Sequence, residues 1–396
     1  MSRDIKKIAD TVIASTYKRF PIVITRGSGC MLWDADGKQY IDFVSGIAVC
    51  NLGHAHPKVS TAISSQSSRL LHVSNLYYTV PQVELASWLI ENSFADRAFF
   101  CNSGAEANEA AIKLARKYFR EKGDNGRYRI VAMEKSFHGR TMATLSATGQ
   151  DKIKKGFDPV LEGFDFVPFN DVKALQNSIT DATCAVLLEP VQGEGGVRIP
   201  DADYLSRVRR LCDEAGVLLI FDEIQTGIGR TGKLFAYEHS GIEPDIMTLA
   251  KALANGLPIG AMLAKEYVAS AFGPGSHAST FGGTPIVSAA ALETLRTLKE
   301  EKIVEHCHEM GRYFKQQLEA LRARHGAILD VRGIGLLLGM KLKIPGDKFV
   351  NACMERGFLI NCIQDTILRF IPPLIIEKPQ IDALLNCLDE LFDQSA

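Results

Sequence analysis

Residues 216–232 read GVLLIFDEIQTGIGRTG. Gly216 ends the periodic segment ADYLSRVRRLCDEAG, which has the apolar spacing of a helix. The apolar run Val217–Phe221 that follows is of strand length, and an acid, Asp222, stands at its carboxyl end. The same alternation recurs upstream. RAFF, RIVAM and CAVLLEP are short apolar runs separated by helical periods, among them AEANEAAIKLARKYF, where Ala107, Ala110, Ala111, Leu114, Ala115 and Tyr118 share one face. Strands alternating with helices predict a mostly parallel sheet with crossover helices, an α/β architecture.

Outward from this centre the pattern changes. Before about residue 46 the chain has short alternating pieces, and WDADGKQY places Asp-Gly between apolar runs as a hairpin does. After about residue 290 a long helical stretch precedes the strand-like segments GIGLLLGMKL, GFLINC and ILRFIPPLII. The expected organisation is a large α/β domain over 47–290 and a smaller, discontinuous α+β domain over 1–46 and 291–396. Length alone suggests about two or three domains for 396 residues.

Composition narrows the function. With 45 Lys+Arg against 46 Asp+Glu the net charge is −1, which lacks the basic excess of a nucleic-acid binder or a polybasic membrane-surface protein. The apolar runs are far below the roughly 18 residues of a membrane-spanning helix, and no secretory signal is visible at the start. Nine cysteines without a C-x-x-C pair predict neither a disulfide framework nor a structural zinc. A cytoplasmic enzyme binding no metal, nucleic acid or membrane is the expectation.

GIGRTG, at 227–232, imitates a G-x-G-x-x-G dinucleotide loop, and with Lys233 it falls one residue short of a phosphate-binding P-loop. Both readings fail on mechanism. Leu234 stands where the P-loop needs a magnesium-binding hydroxyl. The dinucleotide loop joins its strand directly to a helix, whereas here residues 223–226 intervene and no clear helix start follows. A nucleotide-dependent enzyme remains only as a low-ranking alternative.

Three other features point to one chemistry. In NSGAEANEA, Ser103-Gly104-Ala105 follows a strand and opens a helix, whose free N–H groups and dipole favour an anion; alone, it reads first as a plain N-cap. Asp222 at a buried strand end also serves as a turn cap. Lys251, among small and apolar residues in TLAKALANGLPIGA, is by itself a snorkelling amine. Together, a phosphate cradle, a buried carboxylate and a desolvated lysine are what pyridoxal 5'-phosphate requires: the lysine for a Schiff base, the carboxylate to hold the pyridine nitrogen protonated.

With these motifs the sequence resembles the class III aminotransferases of the ornithine, acetylornithine and 4-aminobutyrate type, pyridoxal-phosphate enzymes of fold type I. The resemblance runs from GSGCMLWDADGKQYIDFVSGIAVCNLGHAHP to LRFIPPLII, and its most specific part is FDEIQTGIGRTG followed by DIMTLAKALANGLPIGA. It implies that Lys251 bonds to the cofactor and shuttles the proton, that Asp222 meets the pyridine nitrogen, and that Gln225 lies near the ring 3-hydroxyl. It puts Gly104 and Ala105 at the phosphate, although some members carry Ser or Thr in place of Ala105. Phe137, in SFHGRT, matches the residue stacked on the ring. Ser279 and Thr280 match residues that reach the site from the other subunit, Thr280 on the phosphate, which implies a homodimer with shared active sites. Thr284 stands where many relatives have Asn.

Two arginines suit carboxylates because a guanidinium offers two parallel hydrogen bonds. Arg140 matches the binder of the amino-acid α-carboxylate. Arg369 matches the residue that takes the α-carboxylate of glutamate or 2-oxoglutarate, and Glu194, in VQGEGG, the acid that pairs with it when the amine donor is bound. A structural ion pair would look identical in sequence. His54 and His56 in LGHAHP are expected to satisfy backbone groups rather than a metal. His306 and His308 do not share a helix face. FVSGIAV, SNLYY, FHGRT and ANGLPIGAM lean toward the acetylornithine subgroup. The implied reaction moves the δ-amino group of N2-acetyl-L-ornithine to 2-oxoglutarate, as in arginine biosynthesis. Ornithine, succinylornithine, succinyl-diaminopimelate and 4-aminobutyrate remain alternative donors. A non-catalytic relative would not need Lys251, Asp222 and the phosphate loop together.

Overall fold

The computed structural model describes residues 2–394. Near the N-terminus, Ile24–Ser28 (β1), Met31–Asp34 (β2) and Gln39–Asp42 (β3) form an antiparallel ribbon. The Asp-Gly turn falls between β2 and β3 as expected: Asp34 Oδ1 accepts from the N–H groups of Asp36 and Lys38 at 3.0 and 2.9 Å. Gly37 takes the left-handed conformation that the turn requires (φ 85°).

The central sheet comprises Arg97–Cys101 (β4), Arg129–Met133 (β5), Phe164–Val167 (β6), Thr183–Leu188 (β7), Leu218–Asp222 (β8), Ile246–Leu249 (β9) and Gly260–Ala264 (β10). Their spatial order is β4-β10-β9-β8-β7-β5-β6. β10 is antiparallel to both neighbours and the remaining neighbouring pairs are parallel. All six residues of β7 are buried, as befits a parallel strand covered on both faces. The period of two divides these faces cleanly. Ala185, Leu187, Leu218 and Ile220 pack with Ala110, Ala111 and Leu114 of the helix Gly104–Glu121. Val186, Leu188, Leu219 and Phe221 pack with Leu205, Val208 and Cys212 of the helix Tyr204–Ala215. Each fully buried Leu or Ile here contributes about 2 kcal/mol. Gly216 caps the second helix in the left-handed conformation.

The C-terminal region supplies Ile328–Ile334 (β11), Leu337–Leu342 (β12), Phe358–Leu359 (β13), Asn361–Ile363 (β14) and Ile367–Phe370 (β15). β11, β12, β15 and β14, in that order, make an antiparallel sheet. β13 crosses to the N-terminal ribbon and pairs parallel with β3, Phe358 opposite Ile41. Strands from the two ends of the chain thus share one sheet. The architecture is the expected α/β one: a mostly parallel central sheet and smaller sheets from the chain's flanks. Among the described residues, no helix is long and apolar enough to cross a membrane.

Candidate active site

Loops leaving the carboxyl ends of β4, β5, β7, β8 and β9 converge on a cavity of about 430 Å³, where open parallel sheets bind their ligands. Ser103, Gly104, Ala105, Phe137, Arg140, Glu194, Asp222, Gln225 and Lys251 all line it, although they come from segments spread over some 150 residues of sequence.

Ser103 is the N-cap of the Gly104–Glu121 helix, its Oγ accepting from the Glu106 N–H at 3.2 Å. The Glu106 carboxylate turns back to the Asn102 N–H (2.5 Å). The cap leaves the first-turn N–H groups of Gly104 and Ala105 without helical partners, directed to the same cavity as Lys251. A Cβ on Gly104 would stand 2.7 Å from Ile224 Cδ1, so a larger residue here would displace the Ile224 side chain in β8's exit loop.

Asp222 is 3 % exposed. Its Oδ2 accepts from Asn108 Nδ2 and from His138 Nδ1, both at 2.7 Å, and Oδ1 accepts from the Ile224 N–H at 3.1 Å. Asn108 in turn accepts from the Thr248 hydroxyl (2.8 Å) and donates to the His138 carbonyl (2.8 Å). The carboxylate is therefore locked by donors from a helix, from the loop after β5 and from its own strand end. The other ring nitrogen, His138 Nε2, is buried and has no partner among the described residues.

Lys251 follows β9 in the left-handed region (φ 42°), a conformation that costs a non-glycine residue energy and that clusters at functional sites. Asn255, four residues on, anchors the turn by accepting from the Leu52 N–H (2.9 Å) and donating to the Gly53 carbonyl (3.0 Å). Burial holds the Lys251 ammonium below its usual range, while Glu194 and Asp222 oppose the shift. Burial likewise pushes Glu189, after β7, up to about 7, against the pull of His138. Glu189 accepts from the Phe137 and Gly193 N–H groups at 3.2 and 3.3 Å.

Arg369, in β15, is 1 % exposed and bonds Glu194 through Nη1–Oε1 at 2.6 Å. It stands behind the cavity wall, with Gln225 bridging the pair at 3.4 Å to each partner. Burial alone would raise the Glu194 carboxyl, but Arg369, Lys251 and Gln225 together hold it below its usual range. A Cβ on Gly193 would fall 1.9 Å from Gln225 Oε1, so this glycine makes room for the bridge. Arg140 is exposed at the cavity, 5.6 Å from the Phe137 ring centroid.

Ser279 and Thr280 are not brought to this cavity. They line a separate recess beside β4, where Ser279 Oγ accepts from Asn102 Nδ2 at 3.0 Å. Thr284 precedes the helix Pro285–Glu300. Motif reading missed Asn108, His138, Glu189 and Thr248. Glu189 carries the signature that singled out Asp222, an acid closing an apolar strand; His138 adjoins Phe137 in SFHGRT; Asn108 interrupts an alanine-rich buried face one turn into the helix. Among the described residues no His/Cys/Asp/Glu group can hold a metal. His54, expected to serve backbone groups, instead pairs with Asp42 (Nε2–Oδ2 2.7 Å) because β3 ends beside it. His306 does satisfy a backbone group, the Ile376 carbonyl, at 2.9 Å.

A helix N-terminus, a buried carboxylate and a lysine of lowered basicity around one cavity define a site for an anionic cofactor with an electrophilic carbon. The sequence pattern of the family described as Aminotransferase class-III matches residues 12–392, and the chain belongs to that family of pyridoxal-phosphate-dependent aminotransferases. It is 52% identical, over 96% of its length and 95% of the relative's, to the acetylornithine aminotransferase of Methanocaldococcus jannaschii. It is 50% identical to that of Methanothermobacter thermautotrophicus, over 99% of each. Among solved structures it superposes on the ornithine aminotransferase of Toxoplasma gondii ME49 with a TM-score of 0.96 at 33% identity, covering 100% of this chain and 96% of that one. For the acetylornithine aminotransferase of Elizabethkingia anophelis the TM-score is 0.89 at 33% identity, with 99% of each covered. A further Toxoplasma gondii structure is described with partial occupancy of the cofactor at its active site.

The donor set fits that cofactor. The free N–H groups at Gly104 and Ala105 suit a phosphate, the Asp222 carboxylate keeps acceptor capacity on Oδ1, and the Phe137 ring supplies a flat apolar wall.

Proposed function

We propose that this enzyme transfers the δ-amino group of N2-acetyl-L-ornithine to 2-oxoglutarate, giving N-acetyl-L-glutamate 5-semialdehyde and L-glutamate. The observation that carries this reading is the identity of about half of all residues, over nearly the full length, to acetylornithine aminotransferases. The charge layout agrees with it. Arg140 at the cavity opening offers a bidentate site to a donor's α-carboxylate, while the Glu194–Arg369 pair, on the β15 side, neutralises the second carboxylate site until a dicarboxylate enters.

Pyridoxal phosphate, when bound, supplies an electron sink that makes the amine-bearing carbon acidic. The chain's residues do the rest. Gly104 and Ala105 would hold the cofactor's phosphate by their N–H groups and Phe137 would cover its ring. Asp222, fixed by Asn108 and His138, would meet the ring nitrogen. Lys251 Nζ would carry the cofactor in the resting enzyme; once the donor's amine has displaced it, its lowered basicity would let it accept the proton from the amine-bearing carbon and deliver it to the cofactor carbon two atoms away, across the intervening nitrogen. Glu194 withdraws from Arg369 when 2-oxoglutarate binds, freeing the guanidinium for its carboxylate.

The active unit is proposed to be a homodimer with Ser279 and Thr280 completing the partner's site. Supporting it, Leu76, Tyr77, Tyr78, Val80 and Phe281 are exposed large apolar residues. Asn75 ties their segment to the Ser279 and Gly282 carbonyls (3.2 and 3.0 Å). Nine free thiols suit a cytoplasmic location.

The test is a comparison of single half-reactions, followed by the cofactor's absorbance change, with acetylornithine, ornithine, succinyl-diaminopimelate and 4-aminobutyrate. Acetylornithine is expected to react fastest; its ranking among the slowest overturns the substrate. Arg140→Met should raise the KM for acetylornithine about tenfold or more, the loss expected for a charge-assisted pair, and an unchanged KM refutes its role.

A further inference from the structure

The GIGRTG segment binds no nucleotide by the argument above, yet its arginine is among the most completely buried large side chains, 0 % exposed. Arg230 Nη1 donates to the carbonyls of Pro372 (2.6 Å) and Leu336 (2.9 Å). Nη2 donates to Asn51 Oδ1 (2.5 Å) and Ser45 Oγ (3.5 Å), and Nε has no partner among the described residues. No ion pair to this guanidinium is found among the described residues, so every acceptor is neutral. Burial pushes it down to about 10. A buried cation with no carboxylate in direct contact, Asp42 acting on it only from longer range, is expensive, and an apolar side chain of similar volume would fill the space at less cost. The cost points to a geometric task.

That task is visible in what the acceptors carry. Pro372 lies three residues beyond Arg369, at the end of β15. The adjoining Ile371 donates to the Phe43 carbonyl (2.9 Å) and accepts from the Ser45 hydroxyl (2.6 Å). Leu336 immediately precedes β12, the strand that pairs with β15 and sets Gly339 opposite Arg369. Asn51 donates from its own amide to the Ile228 carbonyl (2.7 Å), closing the frame around the loop that bears Arg230. Four stretches distant in sequence meet on one planar fork.

We propose that Arg230 is a positioning residue that sets the end of β15, and with it the reach of Arg369 toward Glu194 and Gln225 in the wall of the active-site cavity. This rests on Arg369 being the acceptor's carboxylate site. A lysine at 230 keeps the charge, but a single ammonium cannot satisfy acceptors on both sides of a planar fork.

The experiment measures the two half-reactions of the holoenzyme separately, for R230K, N51A and R369K. R230K is expected to retain the cofactor's visible absorbance and to raise the KM for 2-oxoglutarate on the order of tenfold, while the amine-donor half-reaction stays within about twofold, as when one carboxylate contact is displaced by about an ångström. N51A, which removes one acceptor and leaves the guanidinium, is expected to give the same split more weakly, and it decides the matter if R230K fails to hold cofactor. R369K reports on the premise: an unchanged KM for 2-oxoglutarate there refutes the carboxylate role of Arg369 itself. If R369K raises that KM but R230K and N51A do not, or if they slow both half-reactions alike, Arg230 is packing material and the inference is overturned.

Discussion

His54 and Asp42 form a nearly buried pair at the end of β3, away from the active-site cavity, with side chains 17% and 2% exposed. Burial by itself would lower the imidazole, but the hydrogen bond to Asp42 and the neighbouring Cys50 raise it to about 9. A histidine raised above its unfolded value stabilises the fold fully below about pH 6.5 and loses that contribution as pH climbs through about 9. The unfolding free energy of the wild type relative to His54→Gln should thus fall by about 3 kcal/mol between pH 6 and pH 9.5. Urea titrations at the two pH values check it, and a pH-independent difference contradicts the pair. Nothing in LGHAHP signals Asp42, which lies 12 positions away on another strand. Lys251 and Asp222 were legible because each sits in a long local pattern. His138, Asn108 and Thr248 were not, because His138 and Asn108 act by holding Asp222 and Thr248 by holding Asn108, and those contacts exist only once a loop, a helix and a neighbouring strand meet.

At the scale of elements, the strands and helices of the centre follow from apolar period. Val186 and Leu187 fall on opposite faces of β7, and the chain offers each a helix. The close approaches between elements carry no such signal. In the helix Ile303–Arg324, a Cβ on Gly311 would stand 2.2 Å from the Gly335 carbonyl oxygen, and one on Gly335 2.4 Å from the carbonyl carbon of Thr231. Helix, β11–β12 turn and GIGRTG loop thus pass one another at backbone distance. Gly311→Ala should cost about 3 kcal/mol by overpacking against rigid backbone. Gly326→Ala, with nothing within 4 Å of the added carbon, should stay within about 0.5 kcal/mol of wild type. Equal urea midpoints for the two variants would show that the contact gives way freely.

For the whole molecule, the exposed strip around Leu76 (81% exposed) and Tyr78 (98% exposed) is where the proposed dimer is tested, since contiguous apolar surface of this kind marks an interface. Leu76→Asp should leave the circular dichroism unchanged, shift sedimentation from dimer to monomer and abolish activity; a wild type that sediments as a fully active monomer rejects the shared site. The sequence by itself determined the α/β class, the family, the Asp–Gly turn, and the lysine and aspartate of the site, because periodicity and short motifs are local and survive without knowledge of any partner. Only the tertiary structure decided who holds Asp222, how Gln225 bridges Glu194 to Arg369, and which neutral acceptors surround the arginine of a misleading glycine loop. Those contacts join residues tens to hundreds of positions apart, and they form where strand ends and chain ends pack together, which no window along the chain contains.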